Sequence, residues 1–426
     1  MRYIKLIANL EEDNMNELAW ATNMKKLERN NRVVLTNTDT GNWIKISKES
    51  FEMLNEAVIN NQNAKQLIES FETNEDRIYI ERLIEKLEEL KVWKGKEKNK
   101  QQLEQVYFLL THRCNLHCIH CSMDAAQCNS DDFLDTEKVI IALKQIIRLN
   151  PKQIVLSGGE PLFREDFFEI LNYLSDHYRG EITVMTNGTL ITEKNVDLLS
   201  KRITSIDISV DGINEQTCSK IRGKGVFSKV MQAIELLHSC SFTAISLSMV
   251  FGNSNYHMLP DFYEMNRKLG TKPIPRVFSP IGRGESSKDI FNQVSKEKLS
   301  ELNPSNMQDT LKSCTCGACK KEICVDYKGD IYPCVLLTKE KYKLGNIFSE
   351  SEVNMLTDNV RIKTLPAFQE FEKLYPDKIE YCKNCDINLF CWTCLHFADI
   401  YIDTDDFQER CRAKKEALEK MVWEME

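Results

Sequence analysis

Leu109-Leu110-Thr111-His112-Arg113-Cys114-Asn115-Leu116-His117-Cys118-Ile119-His120-Cys121 decides how the rest of this chain is read. Three cysteines stand in the spacing C-x3-C-x2-C, directly after an apolar run at 106–110 that reads as a β-strand. Three thiolates on one short loop can each bind one iron of a cubane cluster. A structural zinc or a ferredoxin cluster takes four ligands. A loop one ligand short leaves the fourth iron open to a substrate. The bland alternative is chance clustering among sixteen cysteines.

Outward from that loop, short apolar runs alternate with amphipathic segments. Strands are expected at 106–110, 153–156, 182–185, 205–210, 244–249 and 272–278. Pro273 and Pro275 make the last the weakest of the six. Helical patterns lie between them, as at 139–149 and 167–177. Such alternation implies an α/β fold with a parallel sheet and helices outside it, and six units suit a partial (β/α)6 barrel. Chemistry then belongs on loops after the strand C-termini, where the cysteine loop falls. Ser157-Gly158-Gly159-Glu160-Pro161 follows the second strand. Two glycines there free the backbone for a close approach, although alone they read as a turn.

The 426 residues suggest two or three domains. Residues 1–95 form a cysteine-free block. A hairpin is expected from 32–35 and 42–46 through Asp39-Thr40-Gly41. Ser47 can cap a helix with Phe51, Leu54 and Val58 on one face, and a second helix is expected over 75–93. Residues 94–102, rich in Lys and Gln, read as a linker to the barrel at 105–300. The third block, 310–426, is cysteine-rich and ends in a helix expected over 412–424.

The net charge of −8 does not favour nucleic acid or an anionic membrane surface. No apolar run spans a bilayer, and residues 1–14 lack a signal-peptide core, so a cytoplasmic location is expected. In that reducing compartment, clustered cysteines point to metal rather than disulfides. The second group holds Cys314, Cys316, Cys319, Cys324 and Cys334; the third holds Cys382, Cys385, Cys391, Cys394 and Cys411. From spacing alone, zinc and iron–sulfur stand level for these two groups. Cys128, Cys218 and Cys240 fit no motif and read as small hydrophobes.

Together, Cys114, Cys118, Cys121 and the Gly-Gly-Glu-Pro turn resemble the radical S-adenosylmethionine superfamily over 105–300. The resemblance implies a 4Fe–4S cluster whose open iron chelates S-adenosylmethionine. It implies that Gly158 and Gly159 carry the backbone facing the methionyl amino group, with Glu160 in support. His120 stands where the family places a residue against adenine. Ser209 and Arg222 resemble residues that hold the ribose and carboxylate. Cys319, Gly329 and Cys334, followed by Cys382-x2-Cys385-x5-Cys391, resemble a SPASM domain, which holds two auxiliary 4Fe–4S clusters. By that likeness Cys319, Cys334, Cys394 and either Cys314 or Cys316 bind the first, and Cys382, Cys385, Cys391 and Cys411 the second. Only two residues, Trp392 and Thr393, separate Cys391 from Cys394, where the family usually has three. Cys324 and His396 are the spare candidates for that place.

The N-terminal block resembles the winged-helix-like modules that bind a precursor's leader segment. Module, barrel and SPASM domain in this order resemble peptide maturases, above all those forming cysteine thioether crosslinks. The implied mechanism reduces bound S-adenosylmethionine with an electron from an external donor. The 5′-deoxyadenosyl radical takes a hydrogen from a substrate carbon, and a substrate thiolate closes the bond. An auxiliary cluster then accepts the surplus electron. Sulfatase-type maturation, carbon–carbon crosslinking and epimerisation are the alternative chemistries, and a zinc-binding adaptor is the alternative of another class.

Overall fold

The computed structural model describes residues 17–95, 103–125, 131–291, 311–356, 361–392 and 394–424. Most of the expected linker and Cys128 lie outside them. The chain divides into two compact units. One draws on Met1–Lys100, Glu297–Cys316 and Lys373–Glu426, the other on Gln101–Lys296 and Gly317–Glu372.

In the first unit, strands β1 (Met24–Arg29), β2 (Arg32–Asn37) and β3 (Trp43–Ser47) form an antiparallel sheet in that order. The expected hairpin is β2–β3, with Leu35 opposite Ile44. Helices α1 (Lys48–Ile59), α2 (Ala64–Glu69) and α3 (Asn74–Glu89) follow. The Ser47 hydroxyl accepts the Ser50 N–H at 3.0 Å, so the expected cap forms. Helix α3 stops at Glu89, short of the expected Trp93; Lys91 has φ +57°, and Trp93 instead stacks on Trp20 at 4.4 Å.

The second unit holds a nine-stranded sheet in the order β12-β11-β10-β4-β5-β6-β7-β8-β9. Strands β4 (Gln105–Leu109), β5 (Gln153–Ser157), β6 (Glu181–Thr186), β7 (Ser205–Ser209), β8 (Ile245–Phe251) and β9 (Lys272–Val277) are the six expected ones, all parallel. Helices α4 (Thr136–Arg148), α5 (Phe167–His177), α6 (Val196–Arg202), α7 (Glu215–Arg222), α8 (Val226–Ser239) and α9 (Leu259–Leu269) link them. Among the described residues the sheet ends at β12 and β9 without closing, so the α/β barrel is partial. Pro273 and Pro275 sit in β9, an edge strand with one partner, where a missing N–H is tolerated. The second cysteine group adds β10 (Glu322–Val325), parallel to β4, then β11 (Asp330–Tyr332) and β12 (Gly345–Asn346), both antiparallel.

Period-two alternation sorts the strand residues. Val106, Phe108, Ile154, Leu156, Val184, Ile206, Ile208 and Leu247 are fully buried. Each contributes about 1.5–3 kcal/mol by leaving water. Gln153, Thr183 and Ser205 lie on the other face, linked in series by hydrogen bonds of 2.7 Å. The barrel therefore has an apolar outer face and a polar inner one. Among the described residues no helix is long and apolar enough to cross a membrane.

Candidate active site

The cysteine loop leaves β4 at Leu110, whose carbonyl accepts from Arg164 at 3.0 Å. Arg164 is buried and paired with Asp166 at 2.7 Å. The loop then runs against the turn after β5. Gly159 N–H donates to Thr111 O and Glu160 N–H to Arg113 O, both at 2.8 Å. The two glycines are there for different reasons. Gly158 has φ +134°, which side chains rarely adopt. A Cβ on Gly159 would lie 2.1 Å from Arg113 O, so only glycine lets the backbones meet.

Glu160 is fully buried and both its oxygens are engaged. They accept from Leu162 N (3.1 Å), Thr186 Oγ1 (2.8 Å) and Asn187 N (2.7 Å). The carboxylate thus ties the β5 turn to the end of β6. Burial raises its pKa, and those donors oppose the rise.

Cys114 and Cys118 are buried and Cys121 is half-buried; all three are free thiols. Burial pushes the Cys114 thiol up to about 11 and raises Cys118 as well. Donors approach the sulfurs: Leu116 N at 3.4 Å and Asn187 Nδ2 at 3.9 Å from Cys114, Arg222 at 3.7 Å from Cys118, and Ala125 N at 3.5 Å from Cys121. N–H groups and a cation aimed at sulfur suit thiolates that carry metal. The loop's far side is clamped by Arg283, which donates to Cys118 O and Ala125 O, and by Ser287 on Ile119 O.

Next to this loop Asp211 collects three groups. Its Oδ2 accepts from Arg222 at 2.6 Å and from His120 Nε2 at 2.7 Å; its Oδ1 accepts Val250 N–H at 2.6 Å. Burial works to raise its pKa, but Arg222 and His120 overcome that and hold it well below the carboxylate range. An ionised carboxylate only accepts, so His120 Nε2 carries the proton. His120 Nδ1 is buried with no hydrogen-bond partner among the described residues, a ring nitrogen left for a ligand. The imidazole stacks on Phe291, which stacks on Phe278. An orphaned ring nitrogen on an aromatic stack fits a bound nucleoside base.

Of the expected ligand-binding residues, His120, Gly158, Gly159, Glu160 and Arg222 all touch the cysteine loop or a group that does. Ser209 lies at the end of β7, with its hydroxyl 3.3 Å from that of Ser248. Asp211, Asn187 and Arg283 were not singled out from sequence. Asp211 and Asn187 each follow a strand end, in Asp211-Gly212 and Asn187-Gly188, and that position was the available signal.

Cys319 has φ +62°, and its N–H donates to Pro333 O at 3.1 Å, beside Cys334. Cys324 lies within β10, fully buried, and burial raises its thiol well above the usual range. Cys314 is buried, with its N–H on Leu389 O at 2.6 Å; Cys316 is half-buried. Cys394 precedes a short helix, Leu395–Tyr401, whose His396 is buried. In the third group, Cys382, Cys385 and Cys391 each feel the charge of Cys411. Burial pushes Cys382 and Cys391 up to about 11. The four thiols of 382–411 therefore share one neighbourhood without meeting at a point. Among the described residues no three such side chains converge on a single-ion centre.

Residues 108–265 match the Radical SAM superfamily, and residues 314–386 match SPASM, an iron–sulfur cluster-binding domain. The chain is 28% identical over 265 residues to the mycofactocin maturase MftC of Mycolicibacterium smegmatis, covering 57% of this chain and 66% of that one. It is 29% identical over 264 residues to AlbA, the antilisterial bacteriocin subtilosin biosynthesis protein of Bacillus subtilis, covering 57% of each. These alignments thus span somewhat under two thirds of either relative. The crystal structure of Streptococcus suis SuiB bound to S-adenosylmethionine shares the fold, with a TM-score of 0.54 at 13% identity over 88% of this chain and 94% of that one.

Proposed function

We propose, from the match of residues 108–265 to the Radical SAM superfamily and of residues 314–386 to SPASM, that the chain is a radical S-adenosylmethionine enzyme that matures a ribosomally made precursor peptide by forming cysteine thioether crosslinks. The observation that carries the reading is the three-thiol loop beside the His120 ring nitrogen that has no partner among the described residues. Two relatives named for maturing mycofactocin and for making subtilosin support a peptide substrate.

Cys114, Cys118 and Cys121 hold the radical cluster, and His120, Gly158, Gly159, Glu160, Ser209 and Arg222 surround S-adenosylmethionine. When bound, this pair supplies one-electron cleavage that begins carbon-centred radical chemistry. The chain's own residues do the rest. Arg222 places a fixed positive charge on the Cys118 sulfur, and Asp211 keeps that guanidinium from turning away. Glu160 keeps the β5 and β6 loops in register. Cys382, Cys385, Cys391 and Cys411 serve an auxiliary cluster.

Among the described residues, strand β3 pairs with β2 on one side only. A groove of about 460 Å³ runs beside it, lined by Arg32, Lys45, Tyr79, Arg82 and Lys86. A leader segment adds there as a further strand, with backbone hydrogen bonds supplying affinity. A cytoplasmic location and an external electron donor follow from this reading.

The test is anaerobic reaction with a cysteine-bearing precursor peptide encoded beside this gene. A loss of two hydrogens per crosslink, with one thiol fewer open to alkylation each time, is expected. S-adenosylmethionine cleavage with an unaltered peptide mass would remove the thioether reading.

A further inference from the structure

The five residues between Cys385 and Cys391 include Ile387, Leu389 and Phe390, all buried. They share one apolar cluster with Leu27 of β1, Val34 of β2, Trp43 of β3, and Leu418, Met421 and Val422 near the chain's end. The Trp43 and Phe390 rings meet edge to face at 5.2 Å. Trp43 Nε1 donates to Leu311 O at 2.9 Å, and Lys45 Nζ reaches Trp423 O at 3.4 Å. Trp423 Nε1 in turn donates to Asp386 O at 3.1 Å, next to Cys385.

The turn between β2 and β3 is fitted to the segment before Cys314. Ser313 N–H donates to Gly41 O at 3.0 Å, and the Thr36 and Ser313 hydroxyls are 2.5 Å apart. Gly41 has φ +72°, and a Cβ there would lie 2.8–3.0 Å from Thr315, Lys312 and Ser313.

Successive residues of β3 therefore do different work. Ile44 and Ile46 point into the cluster with Phe51, Leu54, Leu83 and Leu87 of the helices. Trp43 points to the cysteine group. A sheet that only presented an edge to a ligand needs one apolar face; this one buries both. The third group needs the support, because Cys391 ends a four-residue helix, Asn388–Cys391, too short to hold itself.

We propose that the N-terminal sheet is the platform that positions the third cysteine group, with Trp43 as its central positioning residue. The module is thus part of the housing of a cluster and not a detachable recognition domain. This rests on reading Cys382, Cys385, Cys391 and Cys411 as cluster ligands.

The experiment compares full-length Trp43→Ala, Trp43→Phe, Ile44→Ala and Cys385→Ala, purified anaerobically and measured for iron and for the paramagnetic resonance of the reduced protein. Cys385→Ala loses about four irons per chain. Trp43→Ala loses them too, with the same resonance missing, while 5′-deoxyadenosine production continues. Trp43→Phe, which keeps a ring against Phe390, recovers most of the iron. Ile44→Ala loosens the module from its other face and keeps the iron. Full iron and an unchanged spectrum in Trp43→Ala, or an equal loss in Ile44→Ala, overturns the platform. Full iron in Cys385→Ala overturns the ligand reading and the platform with it.

Discussion

The cysteine loop after β4 and the cysteine group at 382–411 both hold sulfur atoms still, by opposite routes. The loop is held by backbone. Thr111 and Arg113 give their carbonyls to the turn after β5, and Cys118 gives its own to Arg283. The later group is held by apolar side chains from strands more than three hundred residues earlier. Hydrogen-bonded backbone tolerates no added atom, whereas a packed apolar face tolerates shape-conserving exchange. The two sites should therefore break differently.

The largest effect is expected at Gly159. Alanine there puts Cβ 2.1 Å from Arg113 O, and a carbonyl in a ladder cannot swing aside as a flexible side chain would. The cysteine loop must move. We expect Gly159→Ala to lose the loop's iron and to bring 5′-deoxyadenosine below detection, with the third group's resonance intact. Ordinary cleavage by this variant would mean that the loop adapts more than its backbone contacts allow.

The next effect in size comes from Asp211. Asparagine keeps the shape and tolerates the residue's φ of +47°, so the change isolates charge. It leaves Arg222, about 10% exposed in its side chain, without its partner. Breaking a buried pair from one side costs about 3–5 kcal/mol. Urea unfolding of Asp211→Asn should register that loss in the barrel. A loss below about 1 kcal/mol would show that water reaches Arg222 and that the pair is not a fixed one.

The same contrast explains what could be read in advance. All six barrel strands were legible because their apolar runs are local and bounded by turns. The loop's chemistry was legible because C-x3-C-x2-C places its ligands within eight residues. Strand β1, Met-Lys-Lys-Leu-Glu-Arg, was not, because four of its six residues are charged and it owes its form to pairing with β2. Strands β10 to β12 have two to four residues each, too few to show a period. The role of Asp211 is hidden in the sequence because its partners, His120 and Arg222, lie 91 and 11 residues away along the chain. The dependence of the third group on Trp43 has no trace in the spacing of its own cysteines.

The smallest effect is expected where charge rather than packing links the N-terminal sheet to that group. Arg29, at the end of β1, lies 3.4 Å from Asp386 and 3.9 Å from Glu419. The first sits beside Cys385, and the second lies in the helix α10, Asp406–Glu419, that carries Cys411. Arg29 is about a third exposed, so solvent screens both pairs. Exposed pairs of this kind contribute roughly 0–1 kcal/mol. Arg29→Gln should therefore lower the melting temperature slightly at low salt, lose that difference at high salt, and keep its iron. If it lost iron as Trp43→Ala is expected to, the sheet would be steering the cysteine group by charge, and the apolar cluster would be a bystander. Retained iron beside a screened, minor loss of stability would place the work on Trp43, Val34 and Leu27, where removal of ring or methyl surface leaves a void that salt cannot fill.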